Sequence, residues 1–199
     1  MSNTTTEFEE RIMIDENQYR EIVNFYSEKN PHLNFIKNQN FYFDNEKCYL
    51  TNHHITLRAR IVDEIECEFT CKIKEEKGDR EISDTLNAEK KQLLPDKNIL
   101  PDGHVKNFLD TLDQDITGYK KIASLTTIRL EINENDHLFV VDKNSYGQSI
   151  DYNIEVESSS VFKAQKYLKK YCKQFKIEIN KNQYIGKARR AIKASIEKN

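Results

Sequence analysis

Apolar and polar residues alternate with a period of two along much of the chain, as expected of strands with one buried and one polar face. The first strand is predicted over Glu7–Ile14, which places Glu7, Glu9 and Arg11 on one face. Asp15 then caps a helix through about Lys29, whose Tyr19, Ile22, Val23 and Tyr26 recur at helical spacing, and Pro31 stands just beyond it. Further strands are predicted over Asn40–Asp44, Ile55–Val62 and Glu64–Lys74. In the last of these, Ile65, Cys67, Phe69, Cys71 and Ile73 share one face, with Glu66, Glu68, Thr70, Lys72 and Lys74 on the other. A turn at Lys77-Gly78-Asp79 leads into a short strand around Arg80–Ser83, followed by helical segments near Leu86–Leu94 and Gly103–Leu112. Strand character returns over Leu125–Asn133, Leu138–Asp142 and Ile150–Glu157, with Gly118 and Gly147 marking turns. Ser158 or Ser159 is placed to cap a helix running to about Lys173, and a last helix spans about Gln183 to Glu197.

Strands dominate this pattern, and their hairpin-scale separations predict antiparallel pairing. The helices can cover the apolar faces. The opposite faces carry charges of both signs at Glu7/Glu9/Arg11, Arg58/Arg60, Glu66/Glu68/Lys72/Lys74, Arg129/Glu131 and Glu155/Glu157. Periodicity leaves open whether such a face meets solvent on an open sheet or lines the lumen of a closed barrel.

A length of 199 residues fits one domain over 1–199 with a sizeable core. The charged fraction of 32% exceeds the usual quarter, which suggests that some charges work inside the fold. The formal net charge of −2 argues against a general nucleic-acid coat. No apolar run is long enough for a membrane helix and Met1–Thr6 is polar, so the sequence reads as a cytoplasmic protein without a membrane partner. Cys67 and Cys71 would lie roughly 13 Å apart along one strand, too far for a disulfide. They read as small core residues, as do Cys48 and Cys172.

The charge types suggest a phosphorylated ligand. Arg11, Arg58, Arg60, Lys72 and Arg129 are cations for a polyanion, and arginine binds phosphate oxygens through two parallel hydrogen bonds. Glu7, Glu9, Glu155 and Glu157 supply the oxygen ligands that Mg²⁺ or Mn²⁺ prefers. With these residues in place, the chain resembles the CYTH domains, also called triphosphate tunnel metalloenzymes, and within them the uncharacterised bacterial proteins of Firmicutes. Glu7-Phe8-Glu9-Glu10-Arg11 is similar to that family's ExExK signature, and Leu57-Arg58-Ala59-Arg60 to its LRxR strand. Thr70-Cys71-Lys72 matches its TxK strand, Ser124–Arg129 its SLTTxR segment and Asp151–Glu157 its DYEIExE strand. Order and spacing together make the likeness specific over nearly the whole chain.

The resemblance implies a β-dominated α+β fold: a closed antiparallel β-barrel of about eight strands, forming a tunnel with flanking helices. It implies that Arg11, Arg58, Arg60, Lys72 and Arg129 clamp a triphosphate, with Lys187 and Arg190 resembling a KxxR element at the tunnel mouth and Arg189 as the alternative to Arg190. Glu7, Glu9, Glu155 and Glu157 would hold one or two ions of Mg²⁺ or Mn²⁺, with Glu131, Asp142 and Glu81 as supporting candidates. The implied reaction is hydrolysis of a terminal phosphoanhydride, in which Glu157 or Glu9 orients the attacking water and Arg11 helps to neutralise charge. Inorganic triphosphate ranks ahead of thiamine triphosphate and nucleotides. A noncatalytic barrel binding polyphosphate or a phosphorylated signal is the alternative, followed by an adenylate cyclase. A homodimer is compatible with the resemblance, though no surface stripe identifies one. Two positions depart from the family pattern. Arg11 stands for the family lysine and keeps its proton at ordinary pH, so it is not a general acid. Asn153 stands where an acid is common, which predicts either weaker metal binding or a side chain turned outward.

Other signals are set aside. His53-His54 point to opposite faces of a strand and lack the spacing of a zinc site. Glycine-rich phosphate loops, nucleophile elbows and dinucleotide fingerprints are absent from the sequence. Lys163, Lys166, Lys169, Lys170 and Lys173 read as a solvated helix face, and Tyr42, Tyr119, Tyr146 and Tyr152 as packing residues.

Overall fold

The computed structural model describes residues 6–75, 78–87, 100–112, 118–134, 136–179 and 185–196, and only the backbone of Thr6 and Glu7. In chain order the described elements are β1 (Thr6–Ile14), α1 (Glu16–Lys29), β2 (Phe35–Asp44), α2 (Tyr49–Asn52), β3 (Ile55–Val62), β4 (Glu66–Glu75) and β5 (Gly78–Leu86). They continue with α3 (His104–Leu109), β6 (Lys120–Glu134), β7 (His137–Tyr146), β8 (Ser149–Ser158), α4 (Val161–Gln174) and α5 (Lys187–Ile196). This is a β-dominated α+β fold. Two compact units divide it, the first built mainly from Asn38–Leu125 with Lys187–Asn199 and the second from Glu7–Lys37 with Thr126–Gly186. No helix among the described residues is long and apolar enough to cross a membrane.

In the first unit β2, β3, β4 and β5 pair antiparallel in sequence order, for example through Tyr42↔Arg58, Arg58↔Thr70 and Thr70↔Ser83. The buried face joins Leu57, Ala59 and Ile61 to Cys67, Phe69 and Cys71, with Leu50, Val105 and Leu109 completing the cluster. Two carboxylates, the buried Asp44 and the half-buried Asp84, organise its helices. Asp44 accepts from the backbone N–H groups of Leu50 and Thr51 and from the Thr51 hydroxyl, which fixes α2. Asp84 accepts from the backbone N–H of His104 and Val105 at the start of α3. Burial opposes the charge on Asp84, but those donors outweigh it and hold its pKa below the usual carboxylate value. Gly103 leaves room there for Asp84, since an added Cβ would press on its carboxylate.

In the second unit the order is β1, β8, β7, β6, again antiparallel. Ile12, Ile14, Leu130, Phe139, Val141, Tyr152, Ile154 and Val156 form the apolar face, and α1 and α4 cover it with Ile22, Ala164, Leu168 and Tyr171. Burying these positions forces their strand neighbours, including Glu9, Arg11, Arg129, Asp142, Glu155 and Glu157, onto the opposite face. The core therefore sets the direction of the charged groups. Glu10, of the other parity, accepts from Gln165 on α4.

Asp15 closes a capping box: it accepts from the Gln18 backbone N–H, and the Gln18 side chain accepts from the Asp15 backbone N–H. Replacing Asp15 with alanine is expected to lower stability by about 1 kcal/mol. A urea midpoint that falls in Asp15→Ala and recovers in Asp15→Ser checks this.

Several element limits differ from the sequence expectation. The helix cap is Ser160, not Ser158 or Ser159, because Ser158 still belongs to β8, opposite Phe8 and His137. Ile65 is exposed in the β3–β4 turn, where Asp63 and Glu64 both take positive φ, so it does not share the apolar face of β4. Leu86 ends β5 and Asn87 is irregular, while the remainder of the helix expected over Leu86–Leu94 lies outside the described residues. The last helix begins at Lys187, and Gln183 and Glu197 lie outside the described residues. Cys67, Cys71 and Cys172 are buried free thiols, whereas Cys48 is exposed, contrary to the expectation of a core residue.

Candidate active site

The polar face of the second unit gathers charged side chains into cross-strand rows. Glu9 pairs with Glu157 and Arg11 with Glu155 between β1 and β8. Asn153 pairs with Asp142 between β8 and β7, and Asp142 with Arg129 between β7 and β6. Three carboxylates converge: one oxygen each from Glu9, Glu155 and Glu157 lies within 4.8 Å of the others. Their parity along two adjacent strands produces this convergence.

Arg129 anchors the inner end of the cluster. Its Nε donates to Asp142 Oδ1 at 2.9 Å and its Nη2 to Asp142 Oδ2 at 3.1 Å, a two-point contact, while Nη2 also donates to Glu155 Oε2 at 2.9 Å. Glu131 and Glu157 lie farther from Nη1, at 3.7 and 3.9 Å. Burial works against this guanidinium, but Asp142 and Glu155 outweigh it and raise its pKa above the ordinary arginine value. Arg11 contacts Glu9 through Nη2 and faces Glu155 Oε1 at 3.6 Å. Five carboxylates thus surround two guanidinium groups, an excess of negative charge that suits a bound cation.

Asn153 is fully buried within this network rather than turned outward. It shares the strand parity of Glu155 and Glu157, so an outward side chain would have carried those glutamates with it. Thr127 and Asn144, absent from the sequence-derived candidates, extend the network: Thr127 Oγ1 donates to Asn144 Oδ1, and Asn144 Nδ2 donates to Asn153 Oδ1. Spacing of two from Arg129 and from Asp142 was the available signal for both.

The first unit carries a cationic set on β3 and β4. Arg58 Nη2 lies 3.5 Å from Glu68, and the buried Arg58 Nε has no hydrogen-bond partner among the described residues. Arg60 Nε donates to Asn40 Oδ1, and Lys72 Nζ lies 2.8 Å from Glu81 and 3.3 Å from Asp79. A buried arginine donor left open on a polar face is suited to an anion's oxygen. In α5, Arg190 is buried, Arg189 is exposed and Lys187 is partly buried. The side chain of Glu7 lies outside the described residues. Lys163, Lys166, Lys169, Lys170 and Lys173 are exposed on α4, and Tyr42, Tyr119 and Tyr152 are buried.

Glu81 provides a pH-dependent test. Burial raises its pKa, but Lys72, Arg58 and Arg60 overcome that effect, leaving it below the ordinary value of 4.5. A lowered folded-state pKa contributes stability above the unfolded-state value, and that contribution disappears as pH falls through the folded-state pKa. Glu81→Gln is therefore expected to be less stable than the unaltered protein at pH 7. The difference should close as pH drops below 4.5 toward the folded-state pKa. Urea unfolding of both proteins across that window reads the effect; a gap independent of pH would contradict it.

Comparisons with known proteins fit this arrangement. The family model described as CYTH domain matches residues 6–187. The "Putative triphosphatase YjbK" of Bacillus subtilis (strain 168) is 28% identical over 148 residues, covering 72% of this chain and 73% of its own. Among solved structures, one of a "putative adenylate cyclase" from Bacillus halodurans aligns with a TM-score of 0.84 and 24% identity over 94% of this chain and 97% of that one. A Hippeastrum "putative adenylyl cyclase", described as having a dominant triphosphatase activity, aligns with a TM-score of 0.73 and 17% identity over 94% of each chain.

Proposed function

The chain belongs to the CYTH domain family, and on that premise we propose that it hydrolyses the terminal phosphoanhydride of a triphosphate with a divalent metal, inorganic triphosphate ranking before thiamine triphosphate and nucleoside triphosphates. The observation carrying this reading is the convergence of Glu9, Glu155 and Glu157 beside two arginines. The donor set consists of hard carboxylate oxygens, without histidine or cysteine, and fits Mg²⁺ or Mn²⁺. These three residues would hold the ion. When bound, it supplies Lewis-acid polarisation of a phosphoryl oxygen and activation of water.

The chain's own residues supply the rest. Arg11 brings permanent positive charge next to the carboxylates and so can neutralise charge on the transferring phosphoryl group, without acting as a proton donor. Arg58, Arg60 and Lys72 are the candidate ligands for the remaining phosphates, with Lys187 and Arg190 as further cations. Arg129 is committed to Asp142 and Glu155, so its contribution to phosphate binding runs through the shape and charge of the cluster. Glu157, the most exposed of the three carboxylates, is the candidate acceptor of a hydrogen bond from attacking water, with Glu9 as the alternative. This reading assigns the carboxylates to the metal and the cations to the anionic substrate.

The test is phosphate release from inorganic triphosphate, thiamine triphosphate and ATP, each with Mg²⁺, Mn²⁺ or a chelator. Metal-dependent release, fastest on inorganic triphosphate, supports the reading. Tight triphosphate binding without release would replace it with the binding-module alternative, and cyclic nucleotide from ATP with the cyclase alternative.

A further inference from the structure

Resting on the metal-dependent reading above, we propose that Asn153 is a positioning residue that limits the acidic cluster to a single divalent cation, on Glu9, Glu155 and Glu157. Arg129 takes the place of a second cation next to Asp142. The argument begins with the direction of the Asn153 amide. Its Nδ2 donates to Asp142 Oδ2 and to Glu155 Oε1, each at 3.2 Å, and its Oδ1 accepts from Asn144 Nδ2 at 2.8 Å. Turning the amide over would set NH₂ against NH₂ and a carbonyl against two carboxylates, so only one orientation is satisfied. Asn144 is fixed in turn, because its Oδ1 accepts from Thr127 and its Nδ2 also donates to Asp151 Oδ1. The chain of donors therefore points from Thr127 toward Asp142 and Glu155.

Both oxygens of Asp142 accept from Arg129, and one accepts from Asn153 as well. A cation binding at Asp142 would have to approach a guanidinium of the same sign and displace its two-point contact. Glu155 is engaged by Arg129 on Oε2 and by Asn153 on Oε1, with Arg11 Nε 3.6 Å from Oε1, and one of its oxygens lies within 4.8 Å of those of Glu9 and Glu157. The register orders these groups: Asn153, Asp142 and Arg129 share one cross-strand row, Arg11 and Glu155 the next, and Glu9 and Glu157 the one beyond. Cation binding is thus confined to the end of the face that carries Glu9 and Glu157. An aspartate at 153 could still accept from Asn144. It would also turn the donor facing Asp142 and Glu155 into a third anion, and a second cation would then be needed.

The experiment counts Mn²⁺ bound to the full chain without substrate, from the paramagnetic resonance signal of the free ion, for the unaltered protein and for Asn153→Asp. One ion on the unaltered protein and two on Asn153→Asp is the expected result. Two ions on the unaltered protein would overturn the inference and leave metal dependence standing, whereas none would overturn both. A folded Asn153→Asp that still binds one ion would remove Asn153 from its role. The count on the unaltered protein decides the single-cation claim even where the variant does not fold.

Discussion

Replacing Arg129 by alanine is expected to lower the free energy of unfolding by about 3–5 kcal/mol at neutral pH. Asp142 is fully buried and Glu155 nearly so, and both would keep their charges in the interior without the guanidinium that binds them. Urea unfolding of both proteins at neutral pH measures this. A loss below about 1 kcal/mol would show that Arg129, Asp142 and Glu155 do not form a buried ion-pair network.

The second large effect falls on activity. On the proposed function, Glu157→Gln is expected to reduce metal-dependent phosphate release by about a hundredfold, or about 2.7 kcal/mol in the barrier, since it removes one of the three carboxylates that reading assigns to the ion. The variant should fold normally, because Glu157 is partly exposed and Arg129 Nη1 lies 3.9 Å from it. Much of the lost rate should return at higher Mn²⁺ concentration. A rate unchanged at limiting metal would exclude Glu157 as a ligand.

Parity carried most of what the sequence could reveal about this site. The alternation in β8 sets Asn153, Glu155 and Glu157 on one face, and the alternation in β1 does the same for Glu9 and Arg11, so their convergence needed only the pairing of those strands. The partner of each charge was less legible. Nothing in the spacing of Arg129 distinguishes a phosphate ligand from a guanidinium held between Asp142 and Glu155, because that depends on which strand lies beside β6. Asn153 shows the reverse case, a direction that parity already contained.

Strand limits were obscured where polar residues are buried by tertiary contacts. The expected strand at Asn40 begins at Phe35, and Asn38 and Asn40 within it are buried, with Asn40 Nδ2 donating to the Leu125 carbonyl. A run of lysine, asparagine and glutamine reads locally as a loop, and only the partner backbone makes it a strand. Likewise, β6 extends back to Lys120 through alternating residues whose polar members are exposed. Ser158, Ser159 and Ser160 are equivalent caps by local chemistry; strand pairing removes Ser158, and it is Ser160 whose side chain accepts from the Lys163 backbone N–H.

The most direct test of the central division of labour compares Glu9→Gln with Arg60→Ala, measuring phosphate release from inorganic triphosphate while metal and substrate are varied separately. Carboxylates that hold the metal and arginines that hold the anion predict that Glu9→Gln raises the Mn²⁺ concentration needed for half-maximal rate, and that Arg60→Ala raises the triphosphate KM at saturating metal. The same shift in both variants, or release that persists in chelator, would contradict the account.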